Sequence, residues 1–147
     1  MNLLEKLNWR YATKAFDPSK KVPENDLNFL KEAIRLSVSS YGLQMYKVLI
    51  IENPEIRKEL RKASWEQAQI TDASHLFIFC NYTINHDQHV DDHIQLIIDT
   101  QQRIDDHGLK KYAESIKSNI ANMTSEERIN WTEKQTYLAL NSLIIAC

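Results

Sequence analysis

The chain has 147 residues, 43% of them hydrophobic and 26% charged, which suits one soluble globular domain with a real core. A net charge of −2 gives no electrostatic footprint for nucleic acid or an anionic membrane surface, and no stretch reads as a signal peptide or a membrane span. Cys80 and Cys147 show neither metal nor redox spacing, so reduced thiols and a cytoplasmic location are expected.

Asn2 is placed to cap a short helix from Leu3 to about Asn8, with Leu3, Leu4 and Leu7 on one stripe. Trp9-Arg10-Tyr11-Ala12-Thr13-Lys14-Ala15-Phe16-Asp17 follows. Arg10 and Lys14 stand four apart, which puts both cations on one side of a helix or of an extended segment. Thr13 adds a hydroxyl, while Tyr11 and Phe16 add ring surface. Two fixed cations with donors and rings beside them suit a phosphorylated, planar ligand; the plainer alternative is a solvated basic pair.

Asp17-Pro18-Ser19-Lys20 reads as a turn. Pro23 opens a helix to about Val38 that buries Leu27, Leu30, Ile34 and Val38. Ser37 to Gly42 forms a polar loop, in which two hydroxyls and a glycine suit the polar edge of a ring ligand or, equally, an ordinary helix-to-strand turn. Tyr46 to Ile51 is expected to be a buried strand. Asn53 and Pro54 cap and start a helix turning Ile56, Leu60 and Ala63 inward. A polar stretch from Ser64 to Asp72 leads into a second buried strand, Leu76 to Cys80.

From about Asp87 to Asp106 the pattern is helical through Val90, Ile94, Ile97 or Ile98, and Ile104, with Gly108 as punctuation before a helix from Leu109 to about Asn122. Thr124 with Glu127 forms a capping box for a final helix through Trp131, Tyr137, Leu138 and Ile145. Leu138 to Cys147 stays apolar to the last residue without glycine, a basic last turn or a cap, so the sequence is expected to end inside a helix. With two glycines and three prolines, neither G-x-G-x-x-G nor a P-loop is present, so any nucleotide must be held by side chains and ordinary backbone. His86, His89 and His93 among Asp87, Asp91 and Asp92 offer an i, i+4 histidine pair, but no Glu sits between them as in H-E-x-x-H, and no metal is assigned.

Arg10 to Asp17, followed by Lys20-Lys21-Val22, resembles the opening of the FMN-dependent nitroreductase family, in which this segment grips the flavin. Ser39, Ser40 and Gln44 match the family's Pro-Ser-Ser-x-Asn-x-Gln-Pro-Trp loop, which contacts the flavin of the neighbouring subunit. Val38, Gly42, Met45 and Tyr46 depart from it. Trp65 to His75 resembles the approach to the family's central sheet, with Gln67 as the amide for the flavin pyrimidine edge and Glu66 at the usual Asn position. Trp131, Lys134, Gln135 and Tyr137 to Leu140 resemble its helix leading to the dimer core, with Asn141 where Gly is common.

The resemblance implies an α+β fold with a central mixed sheet flanked by helices, a long helix at the interface of an obligate homodimer, and a single nitroreductase-like domain over residues 1–147 that is C-terminally incomplete, lacking the family's later segment. It implies FMN as cofactor and NAD(P)H as co-substrate, bound through Arg10, Tyr11, Ala12, Lys14, Ser39, Ser40, Gly42, Glu66 and Gln67. Hydride would pass from NAD(P)H to flavin N5 and on, in ping-pong fashion, to a nitroaromatic, quinone or similar acceptor. Arg10 would pair with the FMN phosphate and Lys14 would support the N1–O2 edge electrostatically, with no protein general base. The alternative is a flavin-free helical α+β module that dimerises through its last helix.

Overall fold

The computed structural model describes residues 2–101 and 106–147; Ile104, expected on a helical stripe, lies outside them. Among the described residues the chain forms seven helices, a short 3-10 turn and one two-stranded sheet. The class is α+β, with a smaller sheet than the expected central mixed one. In chain order the elements are α1 (Leu3–Trp9), α2 (Glu24–Arg35), the 3-10 turn (Ser40–Gly42), β1 (Tyr46–Ile51), α3 (Pro54–Lys62), α4 (Gln69–Asp72), β2 (Leu76–Asn81), α5 (His86–Gln101), α6 (Asp106–Ala121) and α7 (Ser125–Ala146).

The helix starts follow their caps. Asn2 and Glu5 form a reciprocal capping box at α1. Asn53 Oδ1 accepts from the Glu55 and Ile56 amides, with Pro54 in the first turn of α3. Before α7, the Glu127 carboxylate accepts from Thr124 N–H at 2.7 Å while Glu127 N–H donates to Thr124 Oγ1 at 3.2 Å. Each device satisfies amides that the first helical turn leaves unpaired.

Two compact units divide the chain. The first comprises Met1–Arg35, Val48–Ile78 and Ser142–Cys147. Here α3 packs on α4, and Leu27, Ile34 and Leu143 are buried. So is Arg57, at 3% exposure. Its guanidinium donates from Nε to Ile70 O at 2.7 Å, from Nη1 to Ser74 O at 3.2 Å and from Nη2 to Ala73 O. These carbonyls lie at the C-terminal end of α4, where the helix leaves acceptors unpaired and a cation is favoured.

The second unit comprises Leu36–Lys47 and Phe79–Asn141. Its core is Leu43 and Met45 from the loop, Val90 and Ile94 from α5, and Ala113, Ile116 and Ile120 from α6, with Ile97, Ile98, Leu109 and Trp131 packed against them. The spacing of these positions by three, four and seven is that of facing helical stripes. Thr132, fully buried, donates to Ile129 O and accepts from Asn81 Nδ2 at 3.0 Å.

Several expectations are corrected. The α2 helix stops at Arg35, so Val38 lies beyond it and is exposed. On α3, Ile56 and Ala63 face solvent and Arg57 takes the inward position, because the carbonyls it serves supply a polar interior. Gly108 lies inside α6, within its first turn, rather than before it. Neither strand is fully buried: β1 alternates between half-buried and exposed residues over most of its length, and β2 is half-buried throughout. Leu3, Leu4 and Leu7 share α1 but are all exposed, as are Tyr137, Leu138 and Ile145 on α7.

Candidate functional site

The residues of Arg10 to Phe16 are neither helix nor strand. Arg10 ends α1 in extended backbone, and Asp17 closes the segment by a turn. There Asp17 Oδ1 accepts from Ser19 N–H and Ser19 Oγ, and these bonds, the hydroxyl's first, hold the Asp17 carboxyl below its usual pKa. Five residues on, Val22 N–H donates to Ser74 Oγ at 2.8 Å, tying the segment's exit to the start of β2. Ser74 therefore fastens two chain segments.

A groove of about 450 Å³ runs beside this segment in the first unit. Arg10, Tyr11 and Thr13 line it together with Trp9, Phe16 and Leu7, and Ile144, Ile145 and Cys147 from the end of the chain complete its wall. Ala12 and Lys14 are outside its lining. Among the described residues neither the Arg10 guanidinium nor the Lys14 ammonium has a hydrogen-bond or ion-pair partner, and both residues are exposed. A free guanidinium above aromatic and aliphatic walls fits an anionic group carried on a planar, apolar body.

Glu66 and Gln67 also belong to the first unit. Glu66 has φ +56° and follows Trp65 at φ +51°, so two successive non-glycine residues occupy the left-handed region, an arrangement that persists only when its surroundings impose it. Arg61 supplies part of that constraint: its Nε donates to Glu66 O at 3.2 Å and lies 3.4 Å from the Glu66 carboxylate. The Glu66 charge is thus partly balanced, while the Gln67 amide has no side-chain partner among the described residues.

Ser39, Ser40 and Gly42 sit in the second unit, on the turn entering β1. Ser39 Oγ accepts from Gln44 N–H at 2.9 Å, and Ser40 N–H donates to Gln135 Oε1 at 2.7 Å. Gly42 has φ +74° with His93 ring atoms 3.7 Å from where a Cβ would stand, so a side chain there is strained by backbone conformation rather than by space. His89 Nε2 donates to Leu43 O at 2.7 Å, which fixes its proton on Nε2 because a carbonyl only accepts. Of the histidines that sequence spacing offered to a metal, His89 thus braces this turn, while His86 Nε2 donates to Tyr82 O at 3.3 Å.

Burial first, then the neighbouring His89, lowers the His93 pKa from 6.5. As the pH falls below about 6.5, the unfolded chain takes up a proton that folded His93 resists, so stability is whole above that pH and is lost on acidification toward the folded pKa. We therefore expect the urea midpoint to fall between pH 7 and pH 5 less steeply in His93→Gln than in the wild type. Parallel pH profiles for the two proteins count against this role.

Gln135 and Arg57 are the residues of structural consequence that local pattern reading missed. Both are polar residues at inward helical positions, and their partners lie 95 and up to 17 residues away respectively.

Solved structures share this arrangement of elements. One from Staphylococcus epidermidis, provisionally described as an NAD(P)H:FMN oxidoreductase, superposes with a TM-score of 0.85 at 17% identity, over 98% of this chain and 67% of that one. Another, from Exiguobacterium sibiricum and provisionally described as a nitroreductase in complex with FMN, gives 0.83 at 15% identity, over 99% and 69%. The fold is therefore the α+β fold of these proteins.

A model of the nitroreductase family matches residues 7–147. A Bacillus subtilis (strain 168) protein provisionally named an NAD(P)H nitroreductase is 34% identical over 150 residues, covering 98% of this chain and 68% of that protein. A Staphylococcus saprophyticus protein with the same provisional name is 32% identical over 148 residues, covering 97% and 66%. The chain belongs to the nitroreductase family, and it spans about two thirds of the length of these relatives.

Proposed function

We propose that this protein is an FMN-dependent oxidoreductase that takes hydride from NAD(P)H and delivers it to a small acceptor such as a nitroaromatic or a quinone. The observation that carries this reading is the unpaired Arg10 guanidinium on a groove walled by Tyr11, Thr13 and Phe16, in a chain of a family that includes an FMN-bound neighbour. FMN, when bound, supplies the hydride chemistry. Arg10 would bind the phosphate as a fixed fork. Lys14 would support the reduced ring electrostatically, and no side chain is asked to act as a general base. In the first unit the Gln67 amide, without a side-chain partner among the described residues, is free to meet a polar ligand edge beside Tyr11, Ala12 and Glu66; in the second, the Ser40 hydroxyl, also without one, would meet the flavin of the neighbouring subunit together with Ser39 and Gly42.

The assembly we assign is a homodimer, supported by Tyr137 and Leu138, which leave α7 with apolar surface facing solvent. The working compartment is the cytoplasm.

The test is the visible absorption spectrum of the purified chain before and after adding FMN. Flavin bands that stay with the protein through gel filtration and bleach with NAD(P)H are the expected result. A colourless protein that ignores added FMN overturns the reading in favour of a flavin-free module. Within the flavin reading, Lys14→Ala is expected to lower the midpoint potential of bound FMN, because it withdraws charge that favours the reduced state. An unchanged potential removes Lys14 from that role.

A further inference from the structure

The turn entering β1 is held in a conformation that its own residues do not favour. Tyr41 (φ +57°) and Gln44 (φ +49°) flank Gly42 and Leu43, and both non-glycine residues occupy the left-handed region, which an L side chain disfavours. Such a conformation persists only where neighbours over-determine it. Tyr41 is held at its ring, edge-on to Trp131 and Tyr112, and at its hydroxyl, which accepts from Asn119 Nδ2 at 3.2 Å. His89 holds Leu43 O.

The contact that fixes the turn's leading backbone comes from α7, where Gln135, 8% exposed, accepts the Ser40 N–H at 2.7 Å. Its amide is oriented by its other end: Nε2 donates to Trp131 O at 3.4 Å. Reversing the amide would set two donors face to face at Ser40 and two acceptors at Trp131, so the chemistry permits one orientation.

We propose that Gln135 is a positioning residue for flavin binding. Through its carbonyl oxygen it fixes the Ser40 backbone, and so holds the strained Ser40–Gly42 turn in the shape that offers the Ser40 hydroxyl and the Gly42 backbone to the ligand. This inference rests on the flavin reading above. Gln135 touches no ligand itself. It acts through the turn, which is why a polar side chain occupies an inward position of α7 where an aliphatic one would otherwise pack.

The test compares Gln135→Leu and Gln135→Glu with the wild type, reading hydrogen exchange of the Ser40 amide and FMN affinity by absorbance titration. Gln135→Leu is expected to speed Ser40 exchange by about tenfold and to raise the FMN Kd by about tenfold, the effect of one lost hydrogen bond, while the Ile116 and Ile120 amides of the core keep wild-type rates. Gln135→Glu keeps an acceptor oxygen for Ser40 N–H but loses the donor to Trp131 O, so it is expected to recover part of both losses. If Gln135→Leu does not fold, Gln135→Met takes its place.

Unchanged Ser40 exchange or unchanged affinity in the apolar variant overturns the proposal. So do equal losses in the Leu and Glu variants, or faster exchange at Ile116 and Ile120 as well, since either outcome makes Gln135 a packing residue. A wild-type chain that takes up no FMN overturns the flavin reading and this proposal with it. Failure of the anchor alone is distinct, because it leaves wild-type binding intact.

Discussion

Arg57→Met is expected to destabilise the folded chain by about 3 kcal/mol, on the basis that hydrogen bonds to a charged group contribute roughly 1.5–3 kcal/mol each and that stranded acceptors are costly. The guanidinium serves three carbonyls, those of Ile70, Ala73 and Ser74. Methionine fills much of the same volume, so the loss reports hydrogen bonding rather than a cavity. Some of the freed carbonyls regain water, which is why the total stays below the sum of three full bonds. For a chain of this length the change corresponds to a fall of about 10 °C in Tm.

Two companions sharpen the result. Arg57→Lys keeps the charge, but a single ammonium cannot reproduce a planar fork that reaches three acceptors, so it recovers only part of the loss. Lys58→Met, which removes an exposed partner of Glu55 on the same helix, is expected to shift stability by less than about 0.5 kcal/mol. Equal midpoints for Arg57→Met and the wild type in urea would show that Arg57 is not what holds the end of α4. The consequence extends to the candidate site, since the chain from Glu66 to Ser74 runs through the carbonyls that Arg57 fixes.

Arg57 also shows where sequence reading stops. Caps are local chemistry, and Asn2, Asn53 with Pro54, and Thr124 with Glu127 each do in the structure what their spacing implies. Apolar spacing places Val90, Ile94, Ala113, Ile116 and Ile120 in one core because two facing stripes need only each other. On α3 the same logic selects Ile56 and turns the wrong face inward. A helix whose interior neighbours are backbone carbonyls wants a donor there, and nothing within α3 reveals that the end of α4 will be that neighbour. The turn at Tyr41 and Gln44 is illegible for a related reason: left-handed backbone is signalled locally by glycine or asparagine, whereas here Gln135, His89 and Trp131 impose it from distant helices. That Arg10 lines the groove while Lys14 does not follows from the irregular path between α1 and the Asp17 turn, which no periodicity encodes.

That difference between the two cations sets the largest expected effect on ligand binding. Arg10→Ala should raise the FMN Kd by about 30-fold, the equivalent of roughly 2 kcal/mol for a charge-assisted, bidentate contact with phosphate. Arg10 is exposed and its guanidinium has no partner among the described residues, so the variant should unfold at the wild-type midpoint, and a loss of affinity then belongs to the ligand contact. Riboflavin, which shares the ring system and lacks the phosphate, isolates the cause: Arg10→Ala should leave its Kd unchanged. Arg10→Lys should fall between, retaining a point charge without the fork, and its FMN affinity should weaken more steeply with added salt. Equal losses for FMN and riboflavin would move Arg10 from the phosphate to the ring. No loss for either would return it to the surface as a solvated cation, and the groove would then have to bind its ligand through Tyr11, Thr13 and its apolar walls alone.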